Sequence, residues 1–281
     1  MAAMPPDIAP RIPAAFTTTW SLPQELTDQI VDHLSDDKRT LRICALICRM
    51  FVRRSREHLF HEIALSHSPF DVNFLDVFSH SQVALHSVRK LHIECKRSQH
   101  FFQLSKQELL IFPSLRHLLL ESIQFHEAPD TFLAILSAFT YRTLTLHDST
   151  FGSHEDLCKS VRGFKENGHL DIIECKTTTS YKGKCYTCGH EHAPLRSITL
   201  VQSEPRLYHS LLQCRGTFTH LTSASVYLGV GHDFALLSAV LVDTKDTLQD
   251  LHIHLSRRIC NSTFVPLSFV NPLVSCSHGL N

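Results

Sequence analysis

Hydrophobic positions along the chain follow two regimes. In residues 22–62 they recur every three or four residues. Leu22, Leu26, Ile30 and Leu34 lie four apart, with Val31 widening the stripe, as on one face of an amphipathic helix. Pro23 suits the first turn, where a missing N–H costs nothing, and Glu25 and Asp28 complement the helix dipole there. Ser35-Asp36-Asp37 supplies a stop and a cap. A second predicted helix places Leu41, Cys44, Ala45 and Cys48 on one face, widened by Leu46 and Ile47. A third carries Phe51, Val52, Leu59 and Phe60. Its polar side holds Arg49, Arg53, Arg54 and Arg56, either solvated or facing an acidic partner. Three short helices bury little apolar area alone, so the surplus of apolar positions points to docking on something else.

Beyond residue 85 the pattern changes to short alternating segments. Seven of them share an apolar-x-x-apolar-x-apolar start, beginning at Val88, Leu115, Tyr141, His169, Leu195, Ser223 and Leu248. Their second apolar positions, the anchors, are Leu91, Leu118, Leu144, Ile172, Ile198, Val226 and Leu251, at intervals of 27, 26, 28, 26, 28 and 25. The fourth copy (His169-Leu-Asp-Ile172) and the sixth (Ser223-Ala-Ser-Val226) are irregular. Each segment alternates as a strand does, and helix-like stretches fill 70–85, 101–112, 129–139 and 234–241. A strand plus a helix at this period predicts an α/β fold: a curved solenoid, its parallel sheet concave and its helices convex. Residues 1–20, rich in Pro, Ala and Thr, read as a disordered leader. Residues 256–281 read as an irregular tail, either an irregular cap or the sign of a truncated chain.

Composition narrows the functions. Among 281 residues, 27 basic side chains balance 27 acidic ones, which argues against nucleic-acid or anionic-membrane binding by bulk charge. Only 9 glycines disfavour a phosphate-cradling loop. The longest apolar runs, such as Leu118-Leu119-Leu120, fall far short of the ~20 residues of a spanning helix. No basic-then-apolar export signal opens the chain, so the ten cysteines are expected as reduced thiols in the cytoplasm or nucleus. Most of them, including Cys44, Cys48, Cys95, Cys158 and Cys214, are expected to be buried.

Residues 21–65 resemble an F-box of the kind common among fungal F-box proteins. The resemblance rests on Leu22-Pro23-x-Glu25-Leu26, Ile30, Leu34, Leu41, Cys44, Leu46, Cys48-Arg49, Leu59-Phe60 and Ile63. Phe51 stands where the family usually has Trp. Residues 66–255 resemble degenerate leucine-rich repeats. The position the repeat gives to Asn or Cys holds Lys96, Ile123, Ser149, Thr177, Ser203, Gly231 and Ser256, so no Asn ladder is expected. The resemblance implies a small three-helix F-box followed by a leucine-rich-repeat-like solenoid. It further implies a substrate receptor of an SCF-type ubiquitin ligase, with no chemistry of its own. Leu22, Pro23, Leu26, Ile30, Leu34, Leu46 and Cys48 would meet the complex's small adaptor subunit and, through it, a cullin. The repeats would hold a protein substrate. Nucleic acid and membrane are not expected partners. The alternative is a repeat scaffold outside ubiquitin transfer, its helices only capping the open end of the repeats.

Other constellations are weaker. Cys185, Cys188, His190 and His192 supply zinc-type ligands, with Cys175 as a further candidate. The two histidines are too close for the usual spacing, and no second Cys-x-x-Cys follows, so a plain loop is the alternative and no metal or cofactor is assigned. Alternation puts His252 and His254 on the open face of their strand, with His92, His117 and His147 comparably placed in other repeats. They form either an ordinary polar surface or a substrate contact that senses pH. No Gly-x-Ser-x-Gly, His-Glu-x-x-His or Gly-x-Gly-x-x-Gly occurs, and a catalytic role is not expected.

Overall fold

A computed structural model describes residues 22–66, 81–95, 112–128, 132–133, 136, 140–161, 164–178, 195–204, 207, 218–228, 233–255 and 274–276. The chain divides into two units, Met1–Ser55 and Arg56–Asn281.

The first unit holds α1 (Gln24–His33), α2 (Lys38–Ile47) and the start of α3 (Arg49–Leu59), within which the division falls. Pro23 occupies the N-cap of α1, one residue ahead of the first turn expected for it. Asp37 caps α2, its Oδ1 accepting the N–H groups of Arg39 and Thr40 at 3.0 Å each. The hydroxyl and N–H of Thr40 chiefly hold the Asp37 carboxyl below its ordinary range. Among its described residues the buried side chains are Thr27, Val31, Leu41 and Ser55. On α1 the inward pair is thus Thr27 and Val31, not the Leu26–Ile30 stripe. Arg54 grips Asp32 with two parallel bonds, Nε to Oδ1 and Nη2 to Oδ2. The arginine run of α3 is therefore not a purely solvated face, although a pair this exposed adds little stability.

The second unit is built on one sheet. Its strands are β1 (Glu62–Ser66), β2 (Lys90–Glu94), β3 (His117–Glu121), β4 (Tyr141–His147), β6 (Phe164–Ile173), β8 (Leu195–Val201), β9 (Ser223–Leu228), β10 (Asp250–Leu255) and β11 (Val274–Cys276). They pair in chain order, and every described pairing is parallel. Two short strands, β5 (Thr150–Phe151) and β7 (Lys176–Thr177), form a second ladder.

Register makes two aliphatic rows run through all nine strands. One is Ile63, Leu91, Leu118, Leu144, Leu170, Ile198, Ala224, Leu251 and Val274. The other is Leu65, Ile93, Leu120, Leu146, Ile172, Leu200, Val226, Ile253 and Cys276. The fourth and sixth anchors are therefore Leu170 and Ala224, two residues before Ile172 and Val226. With that correction the intervals from Leu91 to Leu251 become 27, 26, 26, 28, 26 and 27. The sixth copy now begins at Leu221 and is regular. The frame also extends at both ends. Phe60-His-Glu-Ile63 starts a copy inside the span assigned to the helical block, and Val274–Cys276 pairs with β10 from within the expected irregular tail. Among the described residues, helices cover one face of the sheet. Buried residues of α4 (Gln82–Ser87), α5 (His154–Val161) and α6 (Asp233–Thr244) join both rows from β1 to β10 in a single core, while the outward residues of the sheet are mostly polar.

The rungs turn by a repeated device. Ser122, Asp148, Glu174 and Gln202 each take a positive φ of 43–57° four residues past the anchor. Only glycine, and to a lesser extent Asn or Asp, visits this region without strain. That residue throws the next side chain, Ile123, Ser149, Cys175 or Ser203, back into the core. Ser149 Oγ accepts the Ile123 N–H at 3.2 Å and Ser203 Oγ accepts that of Cys175 at 3.0 Å. Cys175 Sγ reaches the Leu146 carbonyl on the preceding rung at 3.4 Å. A Ser–Cys–Ser ladder therefore does form, and its middle member is Cys175, not Thr177. Burial pushes the Cys175 thiol up to about 12 and the Cys95 thiol up to about 11. Cys44 and Cys48 are only half-buried, and the side chains of Cys158 and Cys214 lie outside the described residues.

Helix α5 escaped the sequence reading. Ser153 and Asp156 form its capping box: the Ser153 N–H donates to Asp156 Oδ2 at 2.8 Å, and the Asp156 N–H to Ser153 Oγ at 3.1 Å. Just before it, Phe125 and Phe151 stack 4.5 Å apart in successive rungs. A Cβ on Gly152 would sit 2.3 Å from His126 Cβ. Gly152→Ala should therefore destabilise the repeat unit by about 1–3 kcal/mol, read as a lower thermal midpoint. Ser203→Ala leaves the Cys175 N–H buried without its acceptor and should cost about 1–3 kcal/mol in denaturant unfolding.

Candidate binding surfaces

Two surfaces carry the residues singled out from the sequence. The first lies on the helical unit. Leu22, Leu26 and Ile30 form an exposed ridge along α1, with Leu26 and Ile30 46% and 44% exposed while neighbouring Val31 is 0%. On α2, Leu46 is 87% exposed and Ile47 71%, and Ile43 joins them. Leu41 alone of α2 is buried. Leu46 and Ile47 thus do not widen the inward face but oppose it. Pro23 is exposed, while Leu34 and Cys48 are half-buried. Ile43 was missed, although its i, i+3, i+4 spacing with Leu46 and Ile47 is plain in the sequence. Apolar side chains exposed in such number make this the candidate docking surface of the unit.

The second surface is the open face of the sheet. Alternation and register place its outward residues in rows. His117 and His169 share one row, His92 and His252 a second, and His147 a third. The five expected histidines therefore share a face but not a site. Glu121 joins two of them: Nε2 of His92 donates to its Oε2 at 2.8 Å, and Nδ1 of His147 lies 3.2 Å from its Oε1. His252 and His254 sit on β10, four strand spacings from β4, or ~19 Å. There His254 stacks on Tyr227, centroids 4.1 Å apart.

Sequence reasoning missed His169, Glu121, Asp171 and Tyr227. His169 had been read as the apolar start of the irregular copy, which hid its outward position. Its Nε2 lies 2.7 Å from Asp171 Oδ1, and Thr145 Oγ1 donates to Asp171 Oδ2 at 3.1 Å. The bond to Asp171 raises the His169 pKa against an opposing effect of burial. Burial alone would raise Asp171, but bonds from His169, Thr199 and Thr145 outweigh it and hold the carboxyl low. His117 is pushed the other way, by burial first and then by Lys90, Arg116 and His169.

Among the described residues no group of three His, Cys, Asp or Glu side chains could hold a metal ion. Cys185, Cys188, His190 and His192 lie outside the described residues. No described helix is long and apolar enough to cross a membrane. No protein-family model, curated protein or solved structure matches the chain.

The His169–Asp171 pair fixes the sign of a pH effect. A raised histidine stabilises fully below its unfolded value of ~6.5, and the contribution fades as pH rises through the folded value. The lowered Asp171 contributes above ~3.9 and fades in acid. The stability difference between the native chain and Asp171→Asn should be larger near pH 5.5 than near pH 8.5, as measured by thermal denaturation at both. His117 opposes this trend in both proteins and largely cancels in the difference.

Proposed function

We propose that the chain is a substrate receptor of an SCF-type ubiquitin ligase. Its helices act as an F-box that docks on the small adaptor subunit and, through it, on the cullin. Its second unit acts as a leucine-rich-repeat-like solenoid whose open, concave face holds a protein substrate. The chain does no chemistry itself and works in the cytoplasm or nucleus.

One observation carries this reading. A helical unit whose own interior is little more than Thr27, Val31, Leu41 and Ser55 leaves six large apolar side chains in water: Leu22, Leu26, Ile30, Ile43, Leu46 and Ile47. A role limited to capping the repeats gives those side chains no purpose. A stable interface needs ~800 Å² from each partner, within reach of about twenty residues on such a unit. The strand repeat adds support, because the described helices cover one side of the sheet and leave a long, mostly polar face open to a second partner.

Co-expression with the adaptor and affinity capture tests the reading. The native chain should co-purify with adaptor and cullin. Leu26→Asp or Ile30→Asp should reduce recovery by about tenfold or more, since a buried interface cannot accept an unpaired carboxylate. The repeat unit should keep its circular-dichroism spectrum. Unchanged recovery with both variants would remove the adaptor claim and leave the repeat scaffold.

A further inference from the structure

Charge differs between the two strand ends along β2 to β8, while Glu62 and Asp250 stand at the basic end on β1 and β10. Two residues before the anchors of four rungs stand Arg89, Arg116, Arg142 and Arg196. Three to six residues after the anchors stand Glu94, Glu121, Asp148, Glu174 and Glu204. The arginines are adjacent through their backbones. Arg116 N–H donates to the Arg89 carbonyl at 2.8 Å and Arg142 N–H to the Arg116 carbonyl at 2.9 Å, so three of them occupy consecutive rungs. Gly168 holds the corresponding place on β6 and pairs with Leu195 across a register shift, and Arg196 follows at the same end of β8. Arg116, Arg142 and Arg196 are exposed and Arg89 is half-buried.

No carboxylate among the described residues pairs with any of the four guanidinium groups. The acidic ends cannot reach them, because five residues of strand separate an Arg from the Glu94 or Glu121 position by ~17 Å. Lys90 lies in the neighbouring row, between Glu62 on β1 and His117 on β3. Like charges at neighbouring strand ends repel, and no described carboxylate pairs with these guanidinium groups to offset that cost. A ligand that supplies the missing negative charge would.

We propose that the row Arg89–Arg116–Arg142–Arg196 binds an extended, anionic segment of a protein partner, through carboxylate or phosphate groups. The row crosses four strand spacings, ~19 Å, which matches about six residues of extended chain. Guanidinium groups take both anions in bidentate fashion. A short row on a chain whose formal charge is zero fits a peptide of a few charges better than a nucleic acid. The inference names the chemistry of the segment held by the repeats, and it rests on the proposed function only in taking that partner to be a protein.

Fluorescence anisotropy on the full chain, with no adaptor present, tests it. The probes are labelled Gly-Glu-Gly-Glu-Gly-Glu, the same peptide with phosphoserine for glutamate, its glutamine counterpart, and a six-nucleotide single strand. Saturable binding of the glutamate or phosphoserine peptide is expected, with the stronger of the two naming the anion. The glutamine peptide should not bind. R116Q/R142Q should weaken binding by about tenfold or more. R39Q/R42Q, an equal charge change on α2, should leave it within about twofold. R89Q/R196Q is the second variant should the first fail to fold, and it should weaken binding likewise. No saturable binding of either anionic peptide, equal loss in the α2 control, or tighter binding of the oligonucleotide would each overturn the proposal. Adaptor capture is read separately, so failure of either experiment leaves the other conclusion standing.

Discussion

In-register parallel pairing constrains everything else in the second unit. A parallel rung has no tight hairpin to fix its register, so the inward side chains must fix it. A slip of one residue would turn every leucine of a strand to water. The two apolar rows from Ile63 and Leu65 to Leu251 and Ile253 do this in each strand. No rung could bury its pair alone, and each depends on its neighbours for a covered core.

The same constraint produces the polar face. Once alternate residues are committed inward, the remainder must face out, and no described helix covers them. The turn at each strand end then decides which polar groups go inside. The left-handed residues Ser122, Asp148, Glu174 and Gln202 carry strain of order 1 kcal/mol each. In return, Ser149, Cys175 and Ser203 enter the core and bond to backbone there. The outward histidines and acids are free to pair locally, as Glu121 does with His92 and His147. The arginine row, at the opposite strand end, finds no such partner among the described residues.

The first unit obeys a different balance. Its buried set is small, and six of its large apolar side chains lie outside. A short helical segment in this state buries little apolar area of its own. The bidentate Asp32–Arg54 pair and the Asp37 cap hold the helices in place without supplying that missing core.

Local order was legible in the sequence wherever one residue's identity sufficed. Asp37 announced a cap, the i, i+4 stripes announced helices, and the 27-residue period announced parallel rungs. The tertiary structure decided what depends on neighbours. Which face of α1 turns inward was invisible, because Leu26 and Val31 are equally apolar and only packing distinguishes them. Ile172 and Leu170 compete equally as anchors, and only pairing with Leu144 and Ile198 selects Leu170. The terminal strands were missed because β1 abuts a helical pattern and β11 is three residues long. Shared parity put five histidines on one face in the sequence, but distance along the sheet separates them. That distance is set by strand order, a property of the assembled sheet and of no single segment.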